Sequence, residues 1–123
     1  MDWDRFVCLV TDAIEASNEP YTLEEVFGRI RNKQATIFAG ERSILICELL
    51  HHNGVVTGNG WLGAGDMAEL IADLRPQAEA WAESNGASAI TIDGRNGWQR
   101  PLKSHGYHVD TVTLRKELHH EQE

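Results

Sequence analysis

The passage that most limits the folds open to this chain is residues 43–50, Ser-Ile-Leu-Ile-Cys-Glu-Leu-Leu. In a strand, Leu45, Cys47 and Leu49 would face one side and Ile44, Ile46 and Leu50 the other. A strand apolar on both sides belongs at the centre of a sheet that is covered above and below. Helices are therefore expected on both faces. Glu48 interrupts the pattern, and two places suit it: a lip of the sheet, or a buried position with a partner.

The flanking passages supply neighbours for that strand. Residues 35–39 and 55–62 are rich in β-branched and apolar side chains and are punctuated by turn residues. Gly40-Glu41 can turn the first pair, and Asn53-Gly54 is a strong hairpin signal for the second. Residues 87–93 form a further strand, and residues 107–114 a last one. In that last strand Tyr107 and Val109 have the opposite parity to Val112 and Leu114, so a bulge near Asp110-Thr111 is expected.

Helices account for the rest. Trp3, Phe6, Val7, Val10, Ala13 and Ile14 recur at helical spacing over residues 2–17, with Asp2 as N-cap and Pro20 beyond the end. A second helix opens on Thr22 and Glu25 as a capping box, with Tyr21 placed to staple onto Val26. Arg29, Arg31 and Lys33 fall near its C-terminal end, where cations suit the helix dipole. The third helix follows Asp66 as N-cap and carries Met67, Leu70, Ile71, Leu74, Ala78, Trp81 and Ala82 on one face. Pro76 should kink or split it, and Asn85-Gly86 should end it in an αL cap. Gly58, Gly60, Gly63 and Gly65 crowd the approach to this helix, which implies a bulge, a splay or the close approach of another backbone.

The order of elements is that of an α+β protein with a mixed central sheet of about five strands and helices on both faces. At 123 residues, the chain is expected to form a single domain over residues 1–118, followed by a polar tail, residues 119–123. The net charge of −8 disfavours duplex nucleic acid as the main partner, because phosphate contacts need a basic face. Arg95, Arg100 and Lys103 could still form a small basic patch. No apolar run reaches the roughly 18–20 residues that cross a bilayer, and no secretory leader is expected. Cys8 and Cys47 read as reduced packing residues, and no metal site is expected. His51 and His52 are adjacent on a strand and face opposite ways.

In residues 90–107 a strand leads through Gly94-Arg95-Asn96-Gly97 into a short helix that closes on Leu102-Lys103-Ser104-His105-Gly106-Tyr107. With Gly60-Trp61-Leu62-Gly63-Ala64-Gly65 opening the long helix, these motifs resemble those of the GNAT superfamily of N-acetyltransferases. The likeness runs from residue 1 to about residue 118 and implies a trimmed GNAT-like fold. More loosely, the chain resembles small GNAT-like proteins of bacteriophages, including podovirus internal virion proteins. The resemblance implies that Leu62, Gly63, Ala64 and Gly65 would hold the pyrophosphate of acetyl-CoA, as helix-start amides can. It implies a base, for which Glu48, His51, His52 and Asp93 are candidates, and a tyrosine acid.

The chain departs from that pattern in several places. Gly60 replaces the Gln or Arg that opens the pyrophosphate motif, and Asp66 puts a carboxylate at the helix start. Leu102 stands where the tyrosine acid would be, leaving Tyr107 and His105 as nearby substitutes. The Asn that opens the short-helix motif corresponds to Arg95 or Asn96. These departures lead to the expectation of a GNAT-like phage protein with degraded acetyltransferase chemistry and no cofactor. It would act as a virion or assembly component through protein partners, virion proteins or a second copy of itself, in the virion or the host cytoplasm. The alternatives are an acetyl-CoA-dependent N-acyltransferase acting on an amine, cytoplasmic if not phage-encoded, and an acidic regulatory or counter-defence protein that binds a host protein.

Overall fold

A computed structural model describes residues 2–93 and 96–118 of the chain. Helices α1 (Trp3–Ser17) and α2 (Leu23–Arg31) precede strands β1 (Thr36–Ala39), β2 (Ser43–His52) and β3 (Val55–Gly65). A helical run follows: α3 (Met67–Glu69), a π-helical turn (Leu70–Leu74) and α4 (Arg75–Ser84). Strand β4 (Ala89–Ile92), a 3₁₀ turn (Asn96–Trp98) and α5 (Gln99–Lys103) complete it.

Local chemistry explains the helix ends and the tight turn. The Asp2 and Thr22 side chains accept from the backbone N–H groups of Arg5, at 2.8 Å, and Glu25, at 3.1 Å. Asn53 and Gly54 both take positive φ, 52° and 81°, as a two-residue hairpin turn demands. Pro76 has no N–H to give to the turn before it, and the helix passes through the π turn immediately upstream. Gly86 (φ 81°) closes α4, with its own N–H on Glu83 C=O and that of Ala87 on Ala82 C=O.

The sheet is mixed and four-stranded, in the order β1-β2-β3-β4: the first three strands are antiparallel and β4 runs parallel to β3. As the double-sided pattern of β2 requires, each face has its own core. Ile44 and Ile46 join Val10, Ala13 and Val26 beneath α1 and α2. On the opposite face Leu45 and Cys47 pack with Leu70, Leu74 and Ala78. Ile46 is opposite Leu62 while Cys47 is opposite Gly60, so Trp61 is the extra residue of a β-bulge. The bulge turns both Trp61 and Leu62 toward the α1/α2 core.

Three expectations need correction. Residues 107–114 form no strand and make no bulged ladder; residues 107–118 lie largely exposed without regular structure. Cys8 is exposed rather than packed, because the buried stripe of α1 runs through Leu9, Val10 and Ala13 instead. Trp3 is 65% exposed, although it stacks on Phe6 and Phe27. Arg95 and residues 119–123 lie outside the described residues, and Arg100 and Lys103 are exposed on α5. No helix of the described residues is long and apolar enough to cross a membrane.

Candidate functional site

On the α1/α2 face, one row of side chains crosses three strands. Glu48 lies opposite Asn59, and Asn59 opposite Thr91. Asn59 is buried; its amide donates to Asp93 Oδ2 at 3.1 Å and its carbonyl accepts from Thr91 Oγ1 at 2.8 Å. Two of the expected bases, Glu48 and Asp93, are thereby placed on either side of one asparagine. Arg29 reaches down from α2, with Nη1 3.9 Å from Glu48 Oε2. Its guanidinium stacks 4.4 Å above the Trp61 ring and 5.7 Å from that of Tyr21, which meets Trp61 edge-on. Tyr21 thus leans on Trp61 as part of the core that contains Val26.

This environment raises the proton affinity of Glu48. Burial pushes its pKa above the ordinary 4.5; the Arg29 cation opposes the shift and the Asp93 charge adds to it. A half-buried carboxylate with raised proton affinity can take a proton from a bound ammonium group. An open groove of about 600 Å³ gives access, passing Arg29, Glu48, Lys33 and His51. Asn59, Thr91 and Arg29 were not legible as site residues from the sequence. The one available signal was a polar Asn59 inside an otherwise small and apolar strand.

The glycine passage is built differently from the loop its sequence suggests. β3 runs on to Gly65 in unbroken register with the start of β2, Leu45 opposite Gly63 and Ser43 opposite Gly65. Gly65 has φ 112°, and a Cβ there would overlap Arg42 O and come 2.6 Å from Ser43 Cα. The next N–H, of Asp66, donates to that same Arg42 carbonyl at 3.2 Å. The Asp66 carboxylate then caps the helix, accepting from the Glu69 N–H at 2.9 Å and lying 3.4 Å from Arg42 Nε. These contacts, the Glu69 amide first, hold its pKa below the ordinary 3.8. Glu69 is itself 7% exposed and points back to the β1–β2 turn, where it accepts from the N–H groups of Glu41 and Arg42 and from the Ser43 hydroxyl. Those bonds, the Ser43 hydroxyl first, keep its pKa below 4.5. An anion approaching this helix start meets the Asp66 carboxylate and finds the Glu69 and Leu70 amides already in use.

The short helix borders the Asn59–Asp93 end of the site: Gln99, Leu102, Lys103 and Tyr107 line one open groove of about 1,090 Å³ with Asn59, Thr91 and Asp93. Leu102 is buried. Tyr107 OH donates to Glu79 Oε2 at 2.7 Å, an oxygen also held by Arg75 Nη1 at 2.8 Å. Burial, followed by that hydrogen bond, raises the Tyr107 pKa, which makes the phenol a poorer acid. His105 is exposed, as are His51 and His52 at the end of β2. The Trp98 indole covers Gly63: a Cβ there would lie 3.2 Å from Cη2. Cys47 is buried and its thiol is pushed up to about 12 by burial and by Glu48. Among the described residues no group of His, Cys, Asp and Glu could hold a metal ion.

Several solved structures share this architecture. An acetyltransferase of Trypanosoma brucei superposes with TM-score 0.61 at 12% identity, over 90% of this chain and 94% of that one. A Thermus thermophilus protein gives TM-score 0.62 at 15% identity, over 98% and 93%. The aminoglycoside 6'-N-acetyltransferase of Acinetobacter haemolyticus gives 0.55 at 18%, over 96% of each chain. At these identities the likeness is one of fold, and the fold is GNAT-like. No protein-family model matches the sequence, and no curated protein matches it.

Proposed function

We propose that this GNAT-fold chain works by binding other proteins rather than by transferring an acetyl group, and that it is a virion or assembly component of a bacteriophage. The observation that carries the first part is the Asp66 carboxylate on the helix start where a CoA pyrophosphate would need free amides. Like charges repel, so that carboxylate disfavours an anion at the same amides. The engagement of Tyr107 with Glu79 and the Trp98 ring over Gly63 support the same reading. The phage assignment rests on the sequence resemblance to small GNAT-like phage proteins. A net charge of −8 suits a partner with a basic surface. Titration calorimetry with acetyl-CoA is expected to give no binding heat, and a micromolar dissociation constant would overturn the reading. Mass spectrometry of purified particles should find the chain at fixed copy number; its absence would remove the virion role.

A second reading, an N-acyltransferase acting on an amine, is favoured by one observation: the raised proton affinity of Glu48 beside Asn59 and Asp93. It predicts acetyl-CoA binding together with acetyl transfer to a primary amine that Glu48→Gln abolishes.

A further inference from the structure

β2 is longer than the strand on its outer side. β1 pairs with it only from Thr36, opposite Cys47, to Ala39, opposite Ile44. Upstream of Thr36 the chain leaves the sheet, because the N–H groups of Gln34 and Ala35 both turn to Arg29 C=O on α2, at 2.8 and 3.1 Å. Gly40 N–H donates to Ser43 C=O at 2.8 Å, so the Ser43 peptide group faces β1, while Arg42 C=O takes the Asp66 N–H on the β3 side. The alternation of an antiparallel ladder then turns Leu45, Cys47, Leu49 and His51 toward the β1 side as well. Leu45 and Cys47 meet Phe38 and Thr36 there. Beyond Cys47 that ladder has ended, and among the described residues no other backbone hydrogen bond reaches Leu49 or His51. Residues 48–52 therefore present roughly 17 Å of open edge, at about 3.4 Å per residue.

That edge borders the groove of about 600 Å³ that passes Arg29 and Glu48, and the groove draws on both faces of the sheet. Leu49 and Trp81 give it an apolar wall on the α4 side, where the Trp81 ring meets Phe38 edge-on at 5.8 Å. Arg29 and Lys33 give it the other wall, on the α2 side, beside Glu48. Among the described residues Arg29 has only the loose 3.9 Å pair with Glu48, and Lys33 has no ion pair. Two cations against one carboxylate leave this groove positive on a chain of net charge −8. We propose that the groove receives an extended segment of another protein, which adds to the sheet as a strand beside β2, in line with β1. Its peptide groups pair with those of Leu49 and His51. Its side chains fall alternately on the Leu49–Trp81 wall and the Arg29–Lys33 wall, so the segment that fits alternates apolar and acidic residues. Such a partner also removes the liability of a bare strand edge in water. The inference deepens the protein-binding reading by naming a surface and a mode, and it rests on that reading only for the existence of a partner.

The probe is a short capped peptide alternating valine and glutamate, titrated into the full chain by calorimetry. Binding is expected, and hydrogen exchange at the Leu49 and His51 amides should slow when the peptide is present. Residues directly opposite in a ladder share a face, so the valines are the ones whose peptide groups meet Leu49 and His51. Methylating the valine nitrogens, or replacing glutamate by lysine, should weaken binding at least about tenfold, whereas methylating the glutamate nitrogens should not. His51→Pro removes an edge N–H that takes no part in the β2–β3 ladder, so the melting temperature should hold while peptide binding falls. Lys33→Glu, at an exposed turn residue, tests the charge without touching the strand and decides the question if the proline costs stability. No binding heat with the glutamate peptide overturns the proposal, as does equal binding of the valine-methylated form or an affinity that Lys33→Glu leaves unchanged. A dimer mass that His51→Pro abolishes also overturns it, since a second copy would then hold the edge. Binding of acetyl-CoA would remove the protein-binding reading and leave the peptide result standing.

Discussion

The Glu69 carboxylate lies where a Cβ on Gly40 would sit: a carbon built there would overlap Oε1 and come 2.5 Å from Cδ. The helix after the glycine passage therefore holds the β1–β2 turn through a side chain that only a glycine can admit. Glu69→Ala should leave two backbone N–H groups and the Ser43 hydroxyl without acceptors, at a cost of about 2–4 kcal/mol. Gly40→Ala should act in the same direction by displacing the carboxylate. Urea denaturation measures both, and a loss below about 0.5 kcal/mol for Glu69→Ala would contradict this account.

The same carboxylates give stability a defined acid dependence. The pKa values of Asp66 and Glu69 are held below their ordinary values of 3.8 and 4.5. Their contribution is therefore fully present above those values and is lost as pH falls through the lower values of the folded state. Unfolding free energy should decline through this acid range, and the slope should flatten in a combined Asp66→Asn, Glu69→Gln variant.

Glu48 should show the opposite sign. Its folded pKa lies above 4.5, so the stabilising protonated form is complete below that value and is lost as pH rises through the folded pKa. Glu48→Gln is expected to stabilise the chain slightly at neutral pH, because it removes a carboxylate that burial disfavours and gives up only a weak pair with Arg29. The gain should vanish in acid, where wild type is protonated too. Thermal melts at two pH values test this.

Two glycines of positive φ should respond differently to alanine. At Gly65 the added methyl overlaps Arg42 O and meets Ser43 Cα at 2.6 Å, and a loss of about 3 kcal/mol or more is expected. At Gly86 nothing lies within 4 Å, so the cost should be the backbone penalty alone, about 1–2 kcal/mol. Equal losses would mean that crowding at Gly65 contributes nothing.

Removing the Asp66 charge while keeping the cap separates electrostatics from structure. Asp66→Ser should keep the helix cap, since serine caps about as well, and lose only the charge-dependent stability that acid also removes. If the carboxylate is what excludes a pyrophosphate, this variant should give binding heat with CoA where the unmodified chain gives none. Unchanged calorimetry in Asp66→Ser would move the obstruction elsewhere, with the Trp98 ring over Gly63 the next place to look.

Much of the fold was legible from short-range signals. The caps at Asp2, Thr22 and Asp66, the Asn53-Gly54 turn, the interruption near Pro76 and the two-sided burial of β2 all follow from residues a few positions apart. For the same reason Glu48 could be marked as anomalous but not given its partner. Arg29 is nineteen positions away in sequence (48 minus 29) and meets it only because α2 packs across the sheet. The Asn59 amide joins Asp93 across |i−j| = 34 for the same kind of reason.

What the tertiary structure alone decided is where strand-forming sequence found a partner. Residues 107–114 have the side chains of a strand, yet ladder hydrogen bonds need a second edge in register, and within the described chain that edge is not engaged. Glycine-rich residues 60–65 look like a loop by composition, yet they continue β3 because β2 lies alongside them as far as Ser43. Local propensity proposes an element, and the neighbour that fills its hydrogen bonds decides it. At Gly65 that neighbour also fixed the backbone of Arg42 against the helix start, which left room for the Asp66 cap.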